Sequence, residues 1–284
     1  MTGLESHVDD IQRDGYTVLP GVYSADQCQA LHDAYPVLCA QASVPGGPPA
    51  AWLGNLLEAA PGLFWPMISH PVVWSLAEAL MGPLVQLEGT AFNRFPRVPA
   101  DQAQGRVSGW HRDRYAFVPQ TTAYQRPWCI NAITYLQGLH VDSGALRVVP
   151  GSHRDPVVVT AEERAQPHPR ERLLYPQPGD VVVTHGQLLH SGTPHSGSAD
   201  RDLVSISYNL CWLRHRDNLS GPRVEALIDC ARARNDRRML RLLGADPLLW
   251  ERSNPYFASG DDASRWARWV VEDRAALAPS PLNH

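Results

Sequence analysis

A chain of 284 residues can bury a large single core, and its net charge of −4 offers no broad attraction to nucleic acid or an anionic membrane. All 25 basic residues are arginine, so a Schiff base, a pyridoxal-phosphate lysine and a phosphate-loop lysine are excluded, and any anion clamp must be a guanidinium. The five cysteines are odd in number and lack C-x-x-C spacing, which argues against a disulfide framework or structural zinc.

Glu5, Asp9 and Asp10 come early, and no segment approaches a membrane-spanning apolar run, so the expectation is a cytoplasmic chain with no membrane partner. Residues 14–22 read as a short strand closed by Pro20-Gly21. Ser24-Ala25-Asp26-Gln27 has the form of a capping box, and Cys28, Leu31, Tyr35 and Leu38 follow at helical spacing, with Pro36 expected to kink or end that helix. Residues 43–55 combine helix breakers with an isolated Trp52 and read as a loop, a candidate lid over substrate. His70 to Met81 is a second helix, with Pro71 in its first turn and Gly82 as its stop.

Strands then dominate: 84–95, 110–117, 128–136, 145–149, 157–160, 181–189 and 203–212, punctuated by turn residues. This predicts a mainly β sandwich or jelly roll with flanking helices rather than a doubly wound sheet. After Pro222, Val224, Leu227, Ile228 and Ala231 return to helical spacing. An arginine-rich run to Gly244, a loop at Asn254-Pro255-Tyr256 and a last helix over 262–274 follow. The expected organisation is one domain over 1–284, with a β core at about 84–212 and helical elements at 24–82 and 221–275.

The chemistry centres on Gly109-Trp110-His111-Arg112-Asp113. In an extended strand His111 and Asp113 project to one face, and Arg112 and Arg114 to the other, where solvent or salt bridges would take them. An imidazole and a carboxylate on one face need a third ligand to make the 2-His-1-carboxylate triad that leaves open positions on Fe(II). His190 is the choice for that ligand, at the end of the β-branched run launched by Pro178-Gly179-Asp180, and His185 competes with it. Arg201 opens the next strand, where its planar fork suits the distal carboxylate of 2-oxoglutarate. Asn131 and Thr134 lie on an adjacent strand from which a polar side chain could face the co-substrate. His140, His153, His168 and His215 read as structural, and Trp110, Tyr115 and Trp128 as core, with Tyr115 a possible pocket residue.

Over roughly residues 10–215 the chain resembles the phytanoyl-CoA dioxygenase family of Fe(II)/2-oxoglutarate oxygenases. The resemblance is carried by Asp14-Gly15-Tyr16-Thr17-Val18-Leu19-Pro20-Gly21-Val22, by Trp110-His111-Arg112-Asp113, and by Gly144-Ala145-Leu146 with Pro150-Gly151-Ser152-His153. The Pro-Gly-Asp strand ending at His190, with Arg201 beyond it, completes the set. The resemblance implies a cupin-like double-stranded β-helix, iron on His111, Asp113 and His190, 2-oxoglutarate on Arg201, and dioxygen as oxidant. The sequence departs from the family pattern at His195 and Arg94, where relatives often carry asparagine and lysine; Arg94 is expected to keep a cationic role beside the co-substrate or substrate. The expected activity is hydroxylation of an aliphatic C–H on a small molecule, in natural-product tailoring. The alternatives are a non-catalytic cupin-like metal-binding or sensing protein, and an oxygenase acting on acyl-CoA, amino-acid or protein substrates.

Overall fold

The computed structural model describes residues 2–42, 52–103, 105–113, 117–253 and 261–277. The N-terminal helix α1 (Thr2–Asp14) is followed by β1 (Tyr16–Leu19), α2 (Ala25–Ala42) and β2 (Trp52–Leu53). Helices α3 (Leu56–Ala59), α4 (Pro61–Ile68) and α5 (Pro71–Met81) precede the long strand β3 (Val85–Phe95) and α6 (Ala100–Ala103). The remaining strands are β4 (Cys129–Tyr135), β5 (Leu146–Val148), β6 (Arg172–Leu174), β7 (Val181–His185), β8 (His190–Ser191) and β9 (Arg201–Leu210). Helices α7 (Pro222–Ala233), α8 (Arg237–Leu242), α9 (Leu249–Ser253) and α10 (Asp262–Ala276) end the described chain. The contacts divide it into two compact units, Met1–Gly54 with Thr90–Ile206, and Asn55–Gly89 with Ser207–His284. No described helix is long and apolar enough to cross a membrane.

Two sheets form a jelly roll: a six-stranded one in the order β1-β7-β4-β9-β3-β2, and a three-stranded one in the order β6-β5-β8. Side chains alternate between the faces of a strand, so the register decides what lies between the sheets. In the first unit, Tyr16, Ile133, Tyr135 and Val182 from the large sheet pack with Leu146 and Val148 from the small one, and Leu203 joins them. The opposite face of the large sheet takes α2, where the Tyr35 ring meets Phe92 edge-on. In the second unit, Leu84, Cys211 and Trp269 form a smaller cluster, and the Tyr208 hydroxyl donates to the Ile68 carbonyl at 2.7 Å.

Local chemistry explains most of the elements. The Ser24 hydroxyl accepts from the Gln27 amide, and the Gln27 side chain accepts from the Ser24 amide: the reciprocal cap of α2. Pro36 does not end that helix, which runs on to Ala42. Its buried face of Cys28, Leu31, Tyr35, Leu38 and Cys39 continues across the proline, and this packing outweighs the lost hydrogen bond. Helix α5 starts at Pro71 and stops at Gly82, whose φ is 86°.

Three expected strands differ. The described residues of the expected strand, 110–113 and 117, form none; His111 makes one isolated bridge, because its partner β8 has only two residues. Residues 157–160 are irregular, with the Val157 carbonyl taken by the Arg112 guanidinium. The 181–189 run stops at His185, where Gly186 turns the chain. Helices α1 and α6 and strand β6 lie outside the sequence expectation, whereas α3 and α4 fall within the 24–82 stretch expected to be helical. α1 is largely polar and held by the fully buried Ile11, while β6 is a three-residue strand with Arg172 and Leu173 exposed. Of the loop at 43–55, residues 43–51 lie outside the described residues, and Trp52–Leu53 belong to β2. Arg114, Tyr115 and the Asn254-Pro255-Tyr256 loop also lie outside them.

Candidate metal centre and co-substrate pocket

His190 pairs with Val148 across β5 and β8, so its side chain shares the inward face of Val148. Opposite it, His111 exchanges two backbone hydrogen bonds with His190, each 3.0 Å, which puts both imidazoles on one side. Their ring centres are 4.3 Å apart. The Nδ1 atoms of His111 and His190 lie 2.9 and 3.0 Å from the carbonyls of Gly109 and Leu188. A carbonyl only accepts, so each Nδ1 carries a proton, which leaves Nε2 as the nitrogen each ring can offer a metal. Burial, and then the neighbouring His190, push the His111 pKa below its ordinary value, favouring the neutral form a metal requires.

Asp113 completes the group. Its amide donates to the Gly186 carbonyl at 3.0 Å, and its Oδ1 is 3.7 Å from His190 Nε2. One ligand atom from each of His111, Asp113 and His190 lies within 4.8 Å of the others, and no second such cluster occurs among the described residues. Asp113 Oδ2 is buried and has no hydrogen-bond partner. Two imidazoles that turn Nε2 to one space and an orphaned carboxylate oxygen fit a divalent iron with open positions.

Arg201 lies on the inward face of β9 and is 3% exposed. Its Nη1 donates to the carbonyls of Thr193, Ser143 and Gly144 at 2.8, 3.0 and 3.3 Å, and its guanidinium lies 5.3 and 5.8 Å from the ring centres of Phe95 and Tyr135. No carboxylate among the described residues pairs with it, and its Nε has no acceptor. Burial lowers its pKa from the usual arginine value, the mark of a desolvated cation awaiting an anion. A Cβ on Gly192, two residues past His190, would sit 3.6 Å from Arg201 Nη2, so the arginine borders the metal-ligand strand.

The other sequence-selected residues separate by face. Asn131 shares the inward face with Ile133 and Tyr135, and its Oδ1 accepts from the Ser205 hydroxyl at 2.7 Å. Thr134 is buried on the opposite face of β4. Arg94 likewise points outward, where Nε and Nη2 donate to the two carboxylate oxygens of Asp202 at 2.7 and 2.6 Å; His32 Nδ1 lies 2.7 Å from the same carboxylate. Its guanidinium stacks 4.3 Å from the Tyr35 ring centre, on the side of the sheet away from Arg201.

His185 is fully engaged: Nδ1 accepts from the Gln187 amide and Nε2 donates to the Gln125 carbonyl, both at 3.1 Å. His195 Nε2 donates to the Phe95 carbonyl at 2.9 Å, tying down the residue that flanks Arg201. His153 Nε2 lies 3.1 Å from the Gln12 carbonyl, in keeping with a structural role.

Sequence reasoning missed two contributions. Arg112 is not left to solvent: its guanidinium donates to the carbonyls of Gln187, Ser152 and Val157, fastening the ligand loops together. The carbonyls around Arg201 are backbone atoms that any residue type supplies, and only Gly144 carried a signal for them. Its φ is 80°, and a Cβ there would stand 2.7 Å from Arg201 Nη1 and 2.8 Å from the Thr193 carbonyl oxygen.

Residues 11–203 match the family model described as phytanoyl-CoA dioxygenase. Among solved structures, the fold is similar to HygX from Streptomyces hygroscopicus with nickel and 2-oxoglutarate bound, at a TM-score of 0.60 and 16% identity over 74% of this chain and 88% of that one. It is similar to SnoN, the non-heme alpha-ketoglutarate-dependent epimerase from nogalamycin biosynthesis, at 0.58 and 23% over 78% and 97%. EctD from S. alaskensis with bound Fe gives 0.57 and 21% over 75% and 78%.

Proposed function

The chain belongs to the phytanoyl-CoA dioxygenase family of non-haem iron, 2-oxoglutarate-dependent enzymes, and we propose that within it this protein oxidises an unactivated aliphatic C–H of a small molecule, by hydroxylation, in secondary-metabolite tailoring. The observation that carries the reading is a buried, carboxylate-free Arg201 on the inward face shared with two Nε2 lone pairs and the orphaned Asp113 oxygen.

His111, Asp113 and His190 would hold the iron, through the two Nε2 atoms and a carboxylate oxygen. Arg201 pairs with the distal carboxylate of 2-oxoglutarate, and Phe95 and Tyr135 shield that pair from water. Bound iron with 2-oxoglutarate and dioxygen supplies the oxidising power, with release of succinate and carbon dioxide. Asn131 and Ser205 present a polar edge on the same inward face. Asp113 would serve as the third protein ligand, where a halide would otherwise bind, so oxygen insertion rather than halogenation is the expected outcome. The tailoring context is supported by HygX with hygromycin B bound and by SnoN with nogalamycin RO, both similar in fold.

The test is an anaerobic titration of iron-loaded protein, following the iron-to-keto-acid absorption band with 2-oxoglutarate and with pyruvate. Arg201→Ala strips a buried carboxylate of its partner, a loss of about 3–5 kcal/mol, or roughly a hundredfold or more in 2-oxoglutarate affinity, with iron retained. Arg201→Lys recovers part of this, since an ammonium lacks the planar fork. His190→Ala should lose iron and His185→Ala should keep it. Equal affinity for both keto acids in the wild type and in Arg201→Ala, without succinate release, would favour a non-catalytic metal-binding barrel.

A further inference from the structure

The face that presents Arg201 continues along β3 to a feature the co-substrate does not use. Trp52 on β2 pairs directly with Asn93 on β3, and Leu53 pairs with Phe92. Directly opposed residues of an antiparallel pair project to the same side. Phe92 and Leu53 are buried, and Phe92 meets Tyr35 of α2, so that pair takes the outer side. Trp52 and Asn93 therefore project inward, on the face of Phe95, whose ring packs against Arg201.

The two side chains are unusual for their positions. Trp52 is 60% exposed although it stands on an inward face. Asn93 is only 7% exposed, yet its amide oxygen has no hydrogen-bond partner. A buried polar atom left without a partner is costly unless a ligand or water completes it. An exposed indole beside it offers a broad apolar plate.

We propose that Trp52 and Asn93 are specificity-determining residues that bind a ring-bearing substrate, the indole stacking on one ring face and the Asn93 amide accepting from a ring hydroxyl or amine. This rests on the oxygenase reading above and narrows its substrate to hydroxylated or aminated cyclic compounds, as against acyclic acyl thioesters or amino acids. Stacking selects a flat or saturated ring, while the amide selects a donor at its edge. Trp52 and Asn93 stand on β2 and β3, apart from the segments that carry His111, Asp113, His190 and Arg201, so substrate binding and co-substrate binding separate by mutation.

The experiment uses iron-loaded protein with 2-oxoglutarate. Hygromycin B and an anthracycline serve as ring probes; the butanoyl thioester of N-acetylcysteamine, alanine and glutamate serve as acyclic probes. Binding is read anaerobically from the perturbation of the keto-acid band, and turnover from probe-stimulated succinate release. Ring probes should act on the wild type, Trp52→Ala and Asn93→Ala should each weaken them by about fivefold to tenfold, and Trp52→Phe should restore most of the loss. The affinity for 2-oxoglutarate should stay at the wild-type value in all three variants. A response confined to acyclic probes, no response to ring probes, or variants that bind them as the wild type does would overturn the assignment. A wild type with no keto-acid band would overturn the oxygenase reading itself, and this inference with it.

Discussion

Gly144 shows how much of the anion pocket depends on one missing atom. With φ at 80° and Arg201 and the Thr193 carbonyl pressed against the place where a Cβ would stand, an alanine there must displace the guanidinium or the turn. Gly144→Ala should therefore weaken 2-oxoglutarate binding at least tenfold by the same band titration, cost on the order of 1–2 kcal/mol in chemical denaturation, and leave iron binding intact. Unchanged 2-oxoglutarate affinity would show that the turn adjusts and Arg201 stays in place. At this scale the sequence was most informative where chemistry depends on residue type. An imidazole pair, a carboxylate and a buried arginine can be recognised from letters, and His111, Asp113, His190 and Arg201 come together on the inward face. The three carbonyls that grip Arg201 could not be recognised, and nothing in the letters distinguished an arginine that fastens loops, Arg112, from one in solvent.

Among the elements, α2 is fastened to the outer face of the large sheet by a charge cluster from three places: His32 on the helix, Arg94 on β3 and Asp202 on β9. The Asp202 side chain is fully buried and that of Arg94 is 24% exposed, so removing the carboxylate strands a partly desolvated guanidinium. Discounting for that exposure, Asp202→Ala should cost about 2 kcal/mol in urea denaturation. Iron and 2-oxoglutarate should bind as in the wild type, because the cluster faces away from Arg201; a shift in 2-oxoglutarate affinity would mean that Arg94 has a second role. The alternation of faces also explains where sequence reading stopped. Strand periodicity placed Asn131 and Thr134 together as candidates, although an odd separation sends them to opposite faces. Tertiary pairing, which no local pattern encodes, limits residues 110–113 to a single bridge at His111: their partner is too short to extend the ladder. Long periodic elements such as α5, β3, β4 and α10 were legible because burial and period agree along their whole length.

For the molecule as a whole, acid should be the sensitive axis. His153 and His185, with ring centres 5.0 Å apart, are each pushed down to about 4 from 6.5, burial being the main cause in both and the charge of His153 adding to it for His185. A histidine whose folded pKa is depressed is neutral in the native chain and protonates first in the unfolded one. Its contribution is thus fully present above pH 6.5 and is lost as the pH falls from there toward about 4, by as much as roughly 3 kcal/mol per residue. Thermal melts of the metal-free protein between pH 7 and 4.5 should fall steeply, and His185→Gln should flatten part of the fall. Parallel curves for wild type and variant would assign the acid sensitivity to other groups. The composition that ruled out lysine chemistry and pointed away from polyanionic partners gave no hint of this pair, because burial of a histidine is decided by what packs over it.

The two reciprocal hydrogen bonds between the backbones of His111 and His190 close a small ring, and that ring alone sets how far apart the two imidazoles begin. The chain that joins them contains β4, β5, β6 and β7 with their loops, and none of its length enters the spacing. Loops between the ligands can therefore lengthen, shorten or diverge from one descendant to the next while the metal geometry is inherited unchanged. The pocket around the metal can evolve a new substrate without renegotiating its chemistry.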